Sequence, residues 1–288
     1  MQHLKPAKSL ALAAACMAMF TGVAFADPDP TAELVIDGEL HLVTRAPSED
    51  DITPYLPERY SGWLFRSEGT RDIQMDDFEN PGLLTVDAGL AAWETAEGTA
   101  GQSCQDCHGD IEDGMAGVRA IMPHVNADGE LRSMEDYVNT CRTERMGAEA
   151  WNWNGGDMIA MTAAISMQSR GMPVAVAIDG EAAPYWEQGR DLYYTRFGQL
   201  ELSCASCHEE SYGLNIRADH LSQGQINGFP TYRLKNARLN SIHNRFRGCI
   251  RDTRAETFSI GSDELRALEL YVASRGTGLS VEGVAVRN

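Results

Sequence analysis

Past residue 26 the chain has no apolar stretch long enough to cross a bilayer, which excludes a membrane-spanning helix from the rest of the sequence. It is also short of positive charge: 24 Lys and Arg face 42 Asp and Glu, a formal net charge of −18. That balance argues against nucleic acid or an anionic membrane as partner. It suits a soluble protein that docks on basic patches of other proteins. Cysteine is scarce, with seven in 288 residues, so a repeated pattern among them carries weight. Methionine stops at Met172, and none follows to the C-terminus.

The first 26 residues read as an export signal. Lys5 and Lys8 form a positive start, Leu10 to Phe25 is small and apolar, and Ala24-Phe25-Ala26 fits the small-x-small cleavage rule. Cys16 offers a lipoprotein site as the alternative, but the apolar run continues well past it. The remainder is long enough for about two small domains.

Cys104-Gln105-Asp106-Cys107-His108 and Cys204-Ala205-Ser206-Cys207-His208 are both C-x-x-C-H, the attachment motif of a c-type haem. Two thiols add across the porphyrin vinyl groups, and the adjoining His reaches the iron. The bland alternative is a zinc knuckle or a simple dithiol. Two copies, each with His directly after the second Cys, favour two covalently bound haem c groups. On an exported chain they point to a bacterial periplasm.

The motifs sit in two similar halves. Gly89 to Glu94 precedes the first motif at the same distance as Gly189 to Tyr194 precedes the second, and both predict a helix. The segments closing at Arg170-Gly171 and Arg275-Gly276 predict a later helix in each half. Helix, haem motif, loop-rich middle and closing helix is the plan of a class I cytochrome c domain. The expected fold is therefore mainly α, with two tandem cytochrome c-like domains related by duplication and an N-terminal extension. The expected division is 1–26 leader, 27–80 extension, 81–178 first haem domain and 179–288 second haem domain. Residues 170–184, with Gly171, Pro173, Gly180 and Pro184, read as the linker. The extension holds short β-type runs, Leu34-Val35-Ile36 and Leu40-His41-Leu42-Val43, and is expected to pack over the haem domains or a partner with little chemistry of its own. Its stretch from Asp72 to Asp77 reads as solvated surface.

An electron-transfer cytochrome c commonly places Met opposite the His. The second half has no Met, so His220, His243 and Cys249 are its candidates for a sixth ligand. The first half has Met115, Met122, Met134, Met146 and Met158. After the leader and the motifs, one Cys per half is left over, Cys141 and Cys249. Thiolate ligation of each iron is one reading. A Cys141–Cys249 disulfide, inert buried thiols, or bis-His ligation through His124 and His243 are the others. A thiolate stabilises ferric iron and lowers the potential, which suits a haem with a task beyond relaying electrons.

Cys249 stands in Arg245-Phe246-Arg247-Gly248-Cys249, and from Arg233 to Arg254 only Asp252 opposes seven basic residues. A solvated basic face, or arginines bonding haem propionates, would explain this. So would an oxyanion site beside an ionised thiol, since arginine presents a fixed fork of donors. Cys141 has mixed-charge neighbours, so Cys249 reads as the reactive thiol and Cys141 as a ligand only.

Paired C-x-x-C-H motifs, a spare Cys per half, Glu79-Asn80-Pro81-Gly82 ahead of the first haem helix, and Arg245 to Arg254 before a final helix together resemble the SoxA family, the dihaem subunits of SoxAX cytochromes of thiosulfate-oxidising bacteria. The resemblance covers nearly the whole mature chain, and the Arg-flanked Cys is its specific part. It implies an L-cysteine S-thiosulfotransferase that joins thiosulfate to a Cys of the carrier SoxYZ, in a heterodimer with a monohaem SoxX-type cytochrome. Two electrons then leave to a cytochrome c acceptor. It implies His108 and Cys141 as ligands of the first iron and His208 and Cys249 of the second. Cys249 would also be catalytic, found in the family as a persulfide. Arg245 would help hold the anion, and thiosulfate is expected to sit among Arg245, Arg247 and neighbouring arginines. A plain dihaem electron carrier and a tetrathionate-forming thiosulfate dehydrogenase are the rival functions.

Overall fold

The computed structural model describes residues 28–217 and 219–288. The expected leader, its cleavage point and Cys16 lie outside the described residues. The extension opens with an antiparallel hairpin, Leu34–Ile36 (β1) against Leu40–Leu42 (β2), pairing Leu34 with Leu42 and Ile36 with Leu40. Arg45–Pro47 (β3) pairs with Glu58–Tyr60 (β4), and Glu68–Met75 forms α1. Leu34, Ile36 and Leu42 face inward with Trp63, Leu64 and Phe65, and Tyr212 of the second half joins this small core.

The first half follows as Leu83–Glu94 (α2), Cys104–His108 (α3), Ile111–Gly114 (α4), the hairpin His124–Val125 (β5) and Leu131–Arg132 (β6), Met134–Thr140 (α5) and Gly156–Met167 (α6). A π-helical turn, Cys141–Met146, continues α5. The second half repeats the order with Ala183–Tyr194 (α7) and Cys204–His208 (α8). The hairpin Asn215–Ile216 (β7) and Asp219–His220 (β8) comes next, then Thr231–Arg233 (β9) and Arg238–Asn240 (β10). Ile242–Asp252 (α9), Asp263–Ser274 (α10) and Ala285–Arg287 (β11) complete the chain. Helices α2, α6, α7 and α10 fall where the sequence places them, and the closing pair stops at Met167 and Ser274, near the expected Arg-Gly signals.

In each half the leading helix crosses the closing helix at a glycine. A Cβ at Gly89 would lie 2.1 Å from the Ala160 carbonyl oxygen, and one at Gly189 would lie 2.0 Å from that of Ala267. Only hydrogen at these positions lets the backbones meet. Around the first crossing pack Val86, Trp93, Met161 and Ile165, with Leu239 and Val284 from the second half. Around the second pack Tyr193, Leu268, Tyr271 and Ile250, with Ala120 and Leu131 from the first. The halves thus share side chains across their junction.

Beyond α10 the chain returns along the linker, where Val174 N–H donates to the Leu279 carbonyl and Gly278 N–H to that of Val174. It ends in β11, parallel to β9, which is antiparallel to β10. Asn80 donates to the Val284 carbonyl, and Val286 N–H donates to Gln74 of α1. Asp77, expected as solvated surface, instead takes a two-pronged ion pair from Arg170, each N···O distance 2.7 Å.

The junction holds a buried polar cluster. The Arg119 guanidinium donates to the carbonyls of Phe229, Met122 and Ile226 at 3.1 to 3.3 Å. Ser133 donates to Glu269 at 2.6 Å, and His243 Nε2 lies 3.2 Å from the same carboxylate oxygen. Glu135 and Glu269 line a cavity of about 20 Å³. Burial, with the Glu269 charge second, pushes the Glu135 carboxyl up to about 7. A carboxyl raised in the folded state binds its proton more tightly there than in the unfolded chain. Its contribution is full below the ordinary Glu range and is lost as pH rises through about 7. Glu135→Gln should flatten the decline in thermal stability between pH 5 and 8, a difference of order 2 kcal/mol. Unfolding midpoints of both proteins across that range check this, and parallel curves would refute it.

Candidate active site

Helices α3 and α8 form because a serine precedes each first Cys. Ser103 accepts from Asp106 N–H at 3.1 Å while Asp106 accepts from Ser103 N–H at 2.8 Å. Ser203 and Ser206 make the same reciprocal pair at 3.1 and 3.3 Å. These capping boxes start a helix at the motif itself. Three residues apart on a helix, the two thiols of each motif share one face. All six described cysteines are free thiols, so the structure contains no Cys141–Cys249 disulfide.

At the second motif, His208 Nδ1 lies 2.7 Å from the Ser222 carbonyl. The carbonyl can only accept, so Nδ1 carries the proton and Nε2 keeps its lone pair. Burial holds the ring down at about 4, in the neutral form that binds iron. Gly224, at φ +78°, lies flat on the ring, where a Cβ would stand 2.8 Å from His208 Cγ. The other histidines of this half are engaged elsewhere. His220 meets the carbonyls of Phe65 and Gly213 at 2.9 and 2.8 Å. His243 has Glu269 on Nε2 and the Gly261 N–H on Nδ1, and stacks on Trp153. Cys249 is the one that faces the motif. Burial first, then the nearby Cys249, pushes the Cys204 thiol up to about 12 and raises Cys207 as well.

Helix α9 sets Arg245 and Cys249 four residues apart, on one face. The Cys249 sulfur is the chief cause of the upward shift of the Arg245 pKa. Among the described residues Arg245 has neither a carboxylate partner nor a side-chain hydrogen bond, so its donors are free for a ligand. Arg233 joins it, 4.0 Å from Asp219. Arg66, brought by the extension, is lowered to about 10 by burial and then by Arg287, with Arg245 and Arg233 also acting on it. Arg245, Arg233 and Arg66 therefore act on one another beside Cys249, while Arg287 is held away by Glu282 at 2.6 Å and by Gln74. Arg247 is not among them. Two residues from Cys249 it points to the other side of α9, where its Nε donates to Thr257 at 3.2 Å.

The first motif is barer. His108 is exposed, with no hydrogen-bond partner among the described residues; its ring centre lies 5.7 Å from that of Trp93. Trp93 donates to the Gly109 carbonyl at 3.0 Å, which holds the end of α3. Cys141, where α5 passes into the π turn, lies near enough to Cys104 and Cys107 to couple to both. Burial raises its thiol, with Arg145 the largest opposing influence. Arg142 is spent elsewhere, on Glu97 at 2.7 Å, on the Glu149 carbonyl and over the Trp151 ring at 3.7 Å. His124 is stacked on Tyr137 and hydrogen-bonded to its hydroxyl.

Each motif thus combines two free thiols one helical turn apart, an imidazole, and a third thiol supplied from a distant helix. That donor set fits haem c, and the neutral His208 with Nε2 unengaged fits it best. Sequence reasoning singled out Cys249 and Arg245 and did not point to Arg66, Ser222 or Gly224. Arg66 lies over 150 residues from His220, whose carbonyl it bonds. Ser222 acts through its backbone, which no residue type announces.

A duplicated c-type cytochrome is the class that this fold and these sites define, and the family model for the SoxA/TsdA cytochrome c domain matches residues 88–174 and 188–281. The chain belongs to the SoxA family. It is 57% identical over 280 residues to the L-cysteine S-thiosulfotransferase subunit SoxA of Rhodovulum sulfidophilum, covering 97% of each chain. It is 56% identical over 271 residues to the same subunit of Paracoccus pantotrophus, covering 93% of each. The crystal structure of SoxXA from P. pantotrophus superposes with a TM-score of 0.87, covering 90% of this chain and 99% of that one. Among the described residues no helix is long and apolar enough to cross a membrane.

Proposed function

We propose that the chain is the haem-bearing subunit of an L-cysteine S-thiosulfotransferase in the periplasm, working beside a SoxX-type cytochrome and conjugating thiosulfate to a cysteine of SoxYZ. The observation that carries this is the unpaired Arg245 on the same helical face as Cys249. Cys104 and Cys107, with His108 and Cys141, would hold one haem. Cys204 and Cys207, with His208 and Cys249, would hold the other.

Arg245, with Arg66 and Arg233, binds the sulfonate end of thiosulfate through charge-assisted hydrogen bonds. The outer sulfur is thereby directed at Cys249. An S–S bond forms between them as two electrons leave, giving Cys249 as an S-thiosulfonate. Held by these thiols and imidazoles, haem c would supply the acceptor for those electrons. The carrier thiolate then attacks the outer sulfur of the adduct. Carrier-S–S–SO3⁻ forms, and the Cys249 thiolate leaves and is regenerated. The net change is one new S–S bond and two electrons released.

Arg245→Ala removes one charge-assisted contact, so kcat/KM for thiosulfate should fall about 10- to 100-fold. Steady-state cytochrome c reduction at varied thiosulfate checks this, and an unchanged thiosulfate dependence would remove Arg245 from the role. Omitting SoxYZ separates this function from tetrathionate formation, which needs no carrier.

A further inference from the structure

We propose that the N-terminal extension fixes the orientation of His208 at the second haem site, with Gln223 as the positioning residue through which it acts. The inference rests on the reading of His208 as an iron ligand. Gln223 is fully buried. Its side-chain oxygen accepts from Tyr60 N–H at 2.8 Å, and its side-chain nitrogen donates to the Glu58 carbonyl at 2.9 Å. The amide therefore occupies the place that a peptide of a neighbouring parallel strand would take beside β4.

The residues on either side of Gln223 both touch His208. Ser222 offers the carbonyl that takes the Nδ1 proton, and Gly224 lies against the ring. The Ser222 hydroxyl also accepts from Gly224 N–H at 3.2 Å, which closes the turn. Just before this turn, at the end of β8, His220 Nδ1 meets the Phe65 carbonyl and Arg66 donates to the His220 carbonyl. The loop that cradles His208 is thus fastened to the extension at Gln223 and His220. The extension was expected to have little chemistry of its own, but it holds the support of a ligand and contributes Arg66 to the anion site.

The first half has no such fastening. Among the described residues His108 makes no hydrogen bond, from the extension or from anywhere else. One duplicated copy has acquired an outer support and the other has not, so the first haem serves as an internal reference. A proton held between Nδ1 and a fixed carbonyl makes the imidazole a stronger donor and sets its ring plane. The stronger donor lowers the potential of the iron it binds, and a single ring orientation narrows its low-spin spectrum.

The test is made in the complex of the full-length mature chain with its partner cytochrome. Gln223→Met keeps the volume and loses both hydrogen bonds. Gln223→Glu keeps the acceptor for Tyr60 and loses the donor to Glu58. Low-temperature EPR and spectroelectrochemical titration should show the second haem shifted or split in g-value and raised in potential. The first haem should be unchanged, and the Glu variant should show a smaller shift in the same direction. Native spectra and potentials in both variants, with only a lower melting temperature, would overturn the proposal by reducing Gln223 to a structural role. Should the Met variant not assemble, the Glu variant decides alone. A haem count below two in the wild-type chain would overturn the assignment beneath the proposal, and pyridine haemochrome analysis reads that separately.

Discussion

A Cys249→Ala protein is expected to carry the wild-type complement of covalent haem and to turn over thiosulfate with SoxYZ at below about a hundredth of the wild-type rate. On the proposed assignment the two outcomes separate, because attachment and chemistry would use different thiols. Cys204 and Cys207 stand on α8 and keep their serine cap, while Cys249 stands on α9, near enough to act on both. On the same assignment this variant should change the EPR signal of the second haem alone, since Cys141 is left intact. Haem content, carrier-dependent thiosulfate oxidation and EPR on one preparation make the comparison. Wild-type turnover in this variant would end the case for Cys249 as the sulfur-bearing residue. A matching Cys141→Ala should alter the first haem and leave a substantial rate, because Arg245 and its neighbouring arginines stand at the other site.

Gly189→Ala is expected to have the largest effect on stability. The new methyl group would lie 2.0 Å from the Ala267 carbonyl oxygen and 2.8 Å from Tyr271 Cβ. Neither obstacle is a flexible tip, so α7 must move off α10 and open the core around Tyr193 and Leu268. Such overpacking costs about 3 kcal/mol or more. Gly89→Ala should behave alike in the first half, against Ala160. Gly69→Ala is the control. It lies in α1 with nothing within 4 Å of the added carbon, and alanine there should stabilise by up to about 1 kcal/mol. Chemical denaturation of the three variants checks the order, and equal midpoints for Gly189→Ala and Gly69→Ala would refute the account of the crossing.

Gly189 also shows what was legible in the chain. Gly89 and Gly189 stand at the same distance before their motifs, which exposed the repeat and located both leading helices. The C-x-x-C-H strings and the single spare Cys in each half pointed to the two thiol clusters. Charge around Cys249 pointed to Arg245, because i and i+4 share a helical face once α9 is drawn as a helix. The same reasoning put Arg247 beside it only while the run was read as a line. Sequence proximity to Cys249 is high for Arg247, but a separation of two residues turns it away. Arg66 was illegible for the opposite reason: it reaches the site by tertiary contact from the extension. Asp77 looked like free acid because its partner, Arg170, lies 93 residues away.

The last strand carries a consequence for the order of assembly. β11 is tied to α1 by the Gln74–Val286 bond, across 212 residues, and to the Asn80 side chain through Val284, across 204. Closing loops of that length is slow and comes after local helices have formed. Both haem motifs lie inside the loop that this strand closes. An attachment machinery would therefore meet each motif on a chain whose ends have not yet joined, and docking of the final strand would lock in haem already in place.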